Sequence, residues 1–391
     1  MTKVGIDDIN FYTSSFYLNL EELAEQRHVD SDKFKIGIGQ EKMSLPSPDE
    51  DIVTMAANAA RPIVEACDKN DVSTIMLATE TGIDQSKTAA IFVHELLGMP
   101  STTRAIELKQ ACYSGTAGLQ MACALVQRNP REKVLLIMSD IAKYALNSPG
   151  EPTQGCGAVA MLISADPSIL EISAQSGVYT ENSHDFWRPN YRQTPVVDGK
   201  YSTLVYMKAA KKAFKLLSEK TGIGFDQFEH FCYHLPFSTM GVKAHLKVAK
   251  TAKSTKSKEQ LLDQLAPTLT YNKAIGNSYT ASIYIALCSL LDHSSEDLTG
   301  HKIAFFSFGS GCVGEFFYGR LVEGYKNKLK SSTHHEILTN RTQLSFSEYL
   351  RFYQFKLPTD GSTFCLEHET RGNFRLSKIQ DHYRVYTICE R

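Results

Sequence analysis

Thr103-Arg-Ala-Ile-Glu-Leu108 runs directly into Lys109-Gln-Ala-Cys112-Tyr-Ser-Gly-Thr-Ala-Gly118. The first six residues read as a short strand. From Ser114 to Gln127 the pattern predicts a helix, stopped by Asn129-Pro130. Ser114, Gly115, Ala117 and Gly118 pave its first turns with small side chains, so other backbones can come close and the helix is expected to be buried. Cys112 holds the junction between strand and helix. A cysteine there faces the positive end of the helix dipole, which favours thiolate, the form that attacks a carbonyl or thioester. The plainer reading is a small buried hydrophobe, the usual fate of a free cysteine.

Outward from this stretch, short apolar runs alternate with helical segments, the pattern of an α/β protein. Val72 to Ala78 reads as a buried strand, Thr88 to Leu97 as a helix, Lys133 to Met138 as a strand ending at Ser139-Asp140, and Gly157 to Ser164 as another strand. Asp166-Pro167 then breaks the chain, which predicts two halves, residues 1–166 and 167–391. The second half reuses the plan of the first. Tyr206 to Lys220 reads as a helix and Phe228 to His234 as a strand with a polar end. Ser278 to Leu291 reads as a second small-residue helix, and Lys302 to Phe308 as a strand entering a glycine turn. Beyond about Asn340 the chain is more polar and irregular, with one helix predicted over Leu344 to Phe355.

Composition narrows the function classes. The chain has 391 residues, 42% hydrophobic and 22% charged, an ordinary globular balance. A net charge of -1 gives no global field for nucleic acid or an anionic membrane. Nine cysteines are scattered without a Cys-x-x-Cys, so neither a disulfide framework nor a zinc ribbon is indicated. No signal-peptide core and no bilayer-spanning apolar run occurs, so a soluble, cytoplasmic protein is expected. Lys243 to Lys258 holds six lysines, and Lys208, Lys211, Lys212 and Lys215 share one helix face. Most of these are read as solvated surface; the alternative is a local site for ligand phosphates or a carrier protein.

Three more positions have the placement that chemistry needs. Glu80 ends the strand Val72 to Ala78 beside Thr81-Gly82, and α/β sheets bind ligands at the carboxyl ends of strands. Burial there would raise its pKa into the range of a usable base; the bland reading is a capping carboxylate. His234, before Leu235-Pro236, is the second half's counterpart of Glu80 and could polarise a carbonyl or shuttle a proton. Asn277, before the second small-residue helix, stands where Cys112 stands in the first half, and is either a carbonyl-orienting amide or a helix cap. Gly309-Ser-Gly-Cys-Val-Gly314 fits G-x-G-x-x-G, but Glu315 to Val322 reads as a strand, so a dinucleotide site is rejected. Metal signatures are lacking: His334-His335-Glu336 does not have zincin spacing.

Taken together, these residues resemble the hydroxymethylglutaryl-CoA synthase family, of the bacterial type. The likeness is carried by Gly37-Ile-Gly-Gln40, Ala78-Thr-Glu80, Leu108-Lys-Gln-Ala-Cys-Tyr113, Gly150-Glu-Pro-Thr-Gln-Gly155 and Asp185-Phe-Trp-Arg-Pro189. His234-Leu-Pro-Phe237, Gly276-Asn-Ser-Tyr-Thr280 and Phe306-Ser-Phe-Gly-Ser-Gly311 complete it, in the family's order, from about Gly5 to about Tyr325. The resemblance implies a thiolase-like fold of two similar halves, layered α-β-α-β-α, in a homodimer without metal or redox cofactor. It implies that Cys112 takes the acetyl group of acetyl-CoA and Glu80 removes a methyl proton. The resulting enolate then attacks acetoacetyl-CoA, and His234 protonates the ketone oxygen. Tyr144, Thr153, Ser202, Asn277 and Ser310 match positions contacting the acyl groups; Asp30 and Lys243 match positions near the CoA arm.

The implied product is 3-hydroxy-3-methylglutaryl-CoA, for the mevalonate route to isoprenoids. Relatives in polyketide pathways run the same condensation on carrier-protein-bound acyl groups. Leu108 to Gly118 and Gly309-Ser-Gly-Cys312 are especially like those. The short loop Asn147 to Gly155 and Asp185-Phe-Trp-Arg-Pro189 lean to CoA substrates, which are the expectation, with an acyl carrier protein as the alternative partner.

Overall fold

Strands that are apolar on both faces need cover on both faces, and helices supply it throughout. The computed structural model describes residues 2–389. Its first half runs β1 (Val4–Tyr12), α1 (Ile52–Ala66), β2 (Val72–Ala78), α2 (Ala89–Leu96), β3 (Arg104–Leu108), α3 (Ser114–Arg128), β4 (Lys133–Ala142) and β5 (Gly155–Ala165). Then follow β6 (Leu170–Ile172), β7 (Gly177–Thr180), α4 (Gly199–Thr221), β8 (His230–Tyr233), α5 (Ser238–Thr251), α6 (Ala266–Ile275), α7 (Ser282–His293), β9 (Lys302–Gly309) and β10 (Val313–Leu321). The tail adds α8 (Phe346–Gln354), β11 (Phe374–Gln380) and β12 (Tyr383–Ile388).

One ten-stranded sheet has the order β8-β9-β10-β6-β1-β5-β4-β2-β3, with β7 on β10. Outward from the β1–β6 junction the two sides repeat each other: β5, β4, β2 on one side and β10, β9, β8 on the other. In each, the last two of these are parallel and the first is antiparallel. Only the first side continues, to β3. Side chains on successive positions separate onto two faces. Met76, Leu136, Met138 and Met161 join a core with α3 and α7, while Ile75, Leu77, Leu135, Ile137 and Leu162 join one with α1 and α2. Helix α7 packs on β8 and β9, and α4 covers β7 and β10. The helices α3 and α7 thus form the middle layer, tied by a 2.8 Å hydrogen bond between Thr116 and Tyr284.

The small residues of α3 have the expected use. A Cβ at Gly118 would lie 2.6 Å from Leu136 Cδ1, and one at Gly115 2.6 Å from Met138 Cγ. Several boundaries differ from expectation. Strand β4 continues through Ser139 and Asp140 because both pair with β5, opposite Ala158 and Gly157. Helix α4 begins seven residues before Tyr206, where Asp198 accepts from the backbone N–H groups of Lys200 and Tyr201 and caps it. The second small-residue helix opens with a 3-10 turn, Tyr279–Ala281. The Gly309 turn joins β9 to antiparallel β10, with Gly309 opposite Val313, so no helix follows it.

Candidate active site

The site begins with the short chain between β3 and α3. Ala111 is held at φ +44°, a left-handed conformation that costs a residue with a Cβ roughly 1–2 kcal/mol. That turn presents Cys112 at the start of α3, 9% exposed. Its thiol donates to Glu80 Oε1 at 2.8 Å. Glu80 stands just past the end of β2, so two parallel neighbours in the sheet, β2 and β3, deliver the nucleophile and the carboxylate to the same edge.

Asp140, fully buried on β4, fixes the Glu80 loop. Its Oδ1 accepts from Glu80 N (2.9 Å), Thr79 Oγ1 (2.8 Å), Thr81 N (3.1 Å) and Thr81 Oγ1 (2.6 Å). Its Oδ2 accepts from Thr280 N (3.2 Å) and Thr280 Oγ1 (2.5 Å), reaching across to the second half. Arg188 donates to the Glu80 carbonyl oxygen.

Burial sets the protonation states. It pushes the Glu80 carboxyl up to about 8, helped by the Asp140 charge and opposed by the Cys112 hydrogen bond and Arg188. Burial also raises the Cys112 thiol well above its ordinary range, and the Glu80 and Asp140 carboxylates add to that. The thiolate expected from the helix start is therefore overturned: a buried sulfur facing carboxylates keeps its proton, and the helix dipole does not outweigh them. His234 is 2% exposed, and burial lowers its imidazole to about 3, so the ring is neutral.

Around these groups the second half closes the pocket. His234 lies just past β8, with Nδ1 2.7 Å from Ser282 Oγ, the first residue of α7. The Ser282 hydroxyl also lies 3.0 Å from the Tyr279 carbonyl, and its one proton serves either that carbonyl or His234 Nδ1. Tyr206 OH donates to the His234 carbonyl at 2.7 Å. Tyr279, Tyr144 and Phe186 form an aromatic wall packed with Cys112. Asn277 Nδ2 points to Tyr144 OH at 3.5 Å, and its Oδ1 accepts from Tyr279 N at 2.9 Å. The amide thus joins the pocket and also caps the following turn.

The remaining expected residues spread outward. Asn277 N donates to the Thr153 carbonyl at 3.1 Å. Ser202 Oγ donates to Asp185 Oδ2 at 3.3 Å, while Asp185 Oδ1 accepts from Gly311 N at 3.0 Å, next to Ser310. The Ser310 carbonyl accepts from Gln110 Nε2 at 3.2 Å. Asp30 and Lys243 are exposed and stand apart from this cluster. They sit on two segments that touch, since Thr239 Oγ1 of α5 donates to the Gly37 carbonyl at 2.9 Å. Asp140, Arg188, Phe186, Tyr279 and Ser282 take part without having been singled out. The available signal for Asp140 was a carboxylate closing an apolar strand next to Glu80's; Ser282 lies inside a helix of small residues and gives none.

The tail also reaches the site. Tyr353 OH donates to the Tyr144 carbonyl at 2.7 Å. Tyr349 OH donates to Glu151 Oε1 at 2.9 Å and accepts from Gln154 Nε2 at 3.0 Å, and Gln154 Oε1 accepts from Tyr144 N. Helix α8 therefore braces the loop that carries Tyr144 and Thr153.

Known proteins share this chain's family and architecture. The family model described as hydroxymethylglutaryl-coenzyme A synthase N terminal matches residues 1–168, and the corresponding C terminal model matches residues 172–260 and 247–387. A hydroxymethylglutaryl-CoA synthase of Enterococcus faecalis is 41% identical over 384 residues, covering 98% of this chain and 99% of the relative. The polyketide biosynthesis 3-hydroxy-3-methylglutaryl-ACP synthase PksG of Bacillus subtilis is 33% identical over 371 residues, covering 89% and 87%. A crystal structure of an HMG-CoA synthase complexed with CoA matches with a TM-score of 0.95 at 38% identity, covering 99% of this chain and all of that one. The layered α/β architecture is the thiolase-like fold of that structure.

Proposed function

The chain belongs to the hydroxymethylglutaryl-CoA synthase family, and from that premise we propose how its own residues run the reaction. The enzyme condenses acetyl-CoA with acetoacetyl-CoA and water to give 3-hydroxy-3-methylglutaryl-CoA and CoA. The observation that carries the assignment of roles is the 2.8 Å contact of the Cys112 thiol with the Glu80 carboxylate.

In the first step the Cys112 sulfur attacks the acetyl-CoA carbonyl. As the carbon–sulfur bond to CoA breaks, the thiol proton goes to the departing CoA sulfur, leaving acetyl-Cys112. Glu80 next takes a proton from the acetyl methyl group. A base held near pH 8 is matched to that task at neutral pH, because it is strong enough to accept and partly ionised enough to act. The enolate carbon attacks the ketone carbon of acetoacetyl-CoA. His234 polarises the ketone oxygen: when the Ser282 hydroxyl turns from the Tyr279 carbonyl to donate to Nδ1, the neutral ring carries its proton on Nε2 and gives it there. Water then cleaves the Cys112 thioester, restoring the thiol and releasing the product. Two thioesters and water balance every step, so we assign no metal or redox cofactor to them.

Tyr144, Thr153, Asn277, Ser202 and Ser310 shape the acyl pocket, and Asp30 and Lys243 flank the CoA arm on the rim where α5 meets the Gly37 segment. We place the boundary between halves at Asp166, in keeping with the repeated strand order. The protein acts as a homodimer in the cytoplasm, in the mevalonate route. Strand β3 ends the sheet with its outer edge open, and Ile106, Ile91 and Met121 are exposed, at 41%, 42% and 49%; a second copy pairing along β3 would cover them. No described helix is long and apolar enough to cross a membrane. The carrier-protein acceptor is the second reading, favoured by the likeness to PksG, and the lower identity to it ranks it behind CoA.

The test is a pair of variants. Cys112→Ala abolishes enzyme acetylation. Glu80→Ala still acetylates, helped by loss of the charge that raises the thiol, but condensation falls by about 10²–10⁴-fold. Wild-type condensation in Glu80→Ala would overturn the base assignment.

A further inference from the structure

We propose that His230, Glu296 and His301 form a binding site for a borderline divalent cation of the zinc class, separate from the reaction centre. His230 is the first residue of β8, and His301 immediately precedes β9, its parallel neighbour. Glu296 lies in the loop after α7. Folding therefore gathers three ligands that are 66 and 5 positions apart in the chain. One ligand atom from each lies within 4.8 Å of the others, and His230 Nε2 is 3.7 Å from Glu296 Oε1. The two imidazole rings stand side by side, 6.0 Å between centroids and 25° between planes.

Two further observations point to a ligand. His230 is 8% exposed, its Nδ1 has a long 3.4 Å contact with the Gln264 carbonyl, and its Nε2 faces Glu296 Oε1 at 3.7 Å. His301 Nδ1 is buried with no hydrogen-bond partner among the described residues. Buried ring nitrogens without partners are uncommon, because each forfeits its solvation for nothing. Two imidazoles and one carboxylate are a zinc donor set, and nitrogen ligands select against magnesium and calcium.

The fit needs little movement. Nitrogen and oxygen ligands about 2.0–2.2 Å from a tetrahedral zinc stand roughly 3.4 Å apart. The Glu296 side chain is 63% exposed and free to close that gap, with water taking the fourth position. His230 and His234 are four strand residues apart, roughly 13 Å. The ion thus clamps the loop between α7 and β9 to the start of β8 and takes no part in acyl transfer.

Chelator-stripped full-length protein would be titrated with zinc chloride by isothermal titration calorimetry, alongside thermal melting. Running wild type and Cys112→Ala in parallel excludes the nucleophile as the ligand. Both should bind one zinc at this site and melt at a higher temperature with it, and magnesium should do neither. His301→Ala and Glu296→Gln should each weaken zinc binding at least tenfold, and Glu296→Gln, changed only at an exposed side chain, should condense at the wild-type rate. Absence of zinc binding, an equal response to magnesium, or unchanged zinc affinity in both variants would overturn the proposal.

Discussion

Glu80 can accept a methyl proton only after losing the one that burial and Asp140 hold on it near pH 8. Turnover limited by that step should rise about tenfold per pH unit below this value and level off above it. A pH profile of kcat that is flat between pH 6 and 8.5 would contradict the assignment. The same shift has a stability consequence. The carboxyl's ordinary value is 4.5, so between about 4.5 and 8 the folded state keeps a proton that the unfolded chain has lost. Raising the pH through that window therefore removes stability. Glu80→Gln has no such proton to lose, so its melting temperature should gain on wild type from pH 5 to 8 and no further. The placement of Glu80, Cys112 and His234 at element junctions was legible in the sequence. Their protonation was not, because it depends on Asp140 and on burial that only the assembled halves create.

Between elements, the decisive contacts run from the tail back to the catalytic loop. The sequence beyond Asn340 reads as polar and irregular, and its predicted helix is present as α8, but nothing in it tells what the helix touches. Tyr349 and Tyr353 are tyrosines because each hydroxyl has a buried or half-buried partner 198 or 209 residues away. Tyr349→Phe would leave Gln154 without its Tyr349 partner and Glu151 with one donor fewer, costing about 1–3 kcal/mol of stability. Because Gln154 also holds Tyr144 N, the variant should raise KM for acetyl-CoA more than it lowers acetylation by saturating substrate. Denaturant unfolding and acetylation kinetics check both. Glycine matters similarly where Gly276 enters the second-half loop: at φ +91°, against the Gln154 carbonyl, it has no room for a Cβ.

For the whole molecule, alternation of apolar runs with helices was enough to expect two similar halves, and the sheet repeats β5-β4-β2 as β10-β9-β8 about the β1–β6 junction. That only the first side carries a further strand was not legible, since edge pairing leaves no mark on hydrophobic period. The open edge of β3 gives the dimer a testable seam. Ile106→Glu, placing a charge at that edge, should turn a dimer into a monomer in size-exclusion chromatography with light scattering; an unshifted dimer would put the interface elsewhere. The cluster of His230, Glu296 and His301 was equally hidden, because its ligands follow no short motif. Every step of the mechanism depends on Cys112 carrying the acetyl group between the two thioesters. Intact-protein mass spectrometry after incubation with acetyl-CoA, followed by a chase with acetoacetyl-CoA, tests it most directly. One acetyl group on Cys112, discharged by the chase as 3-hydroxy-3-methylglutaryl-CoA, is the predicted result. No acetyl adduct, or an adduct that survives Cys112→Ala, would contradict it.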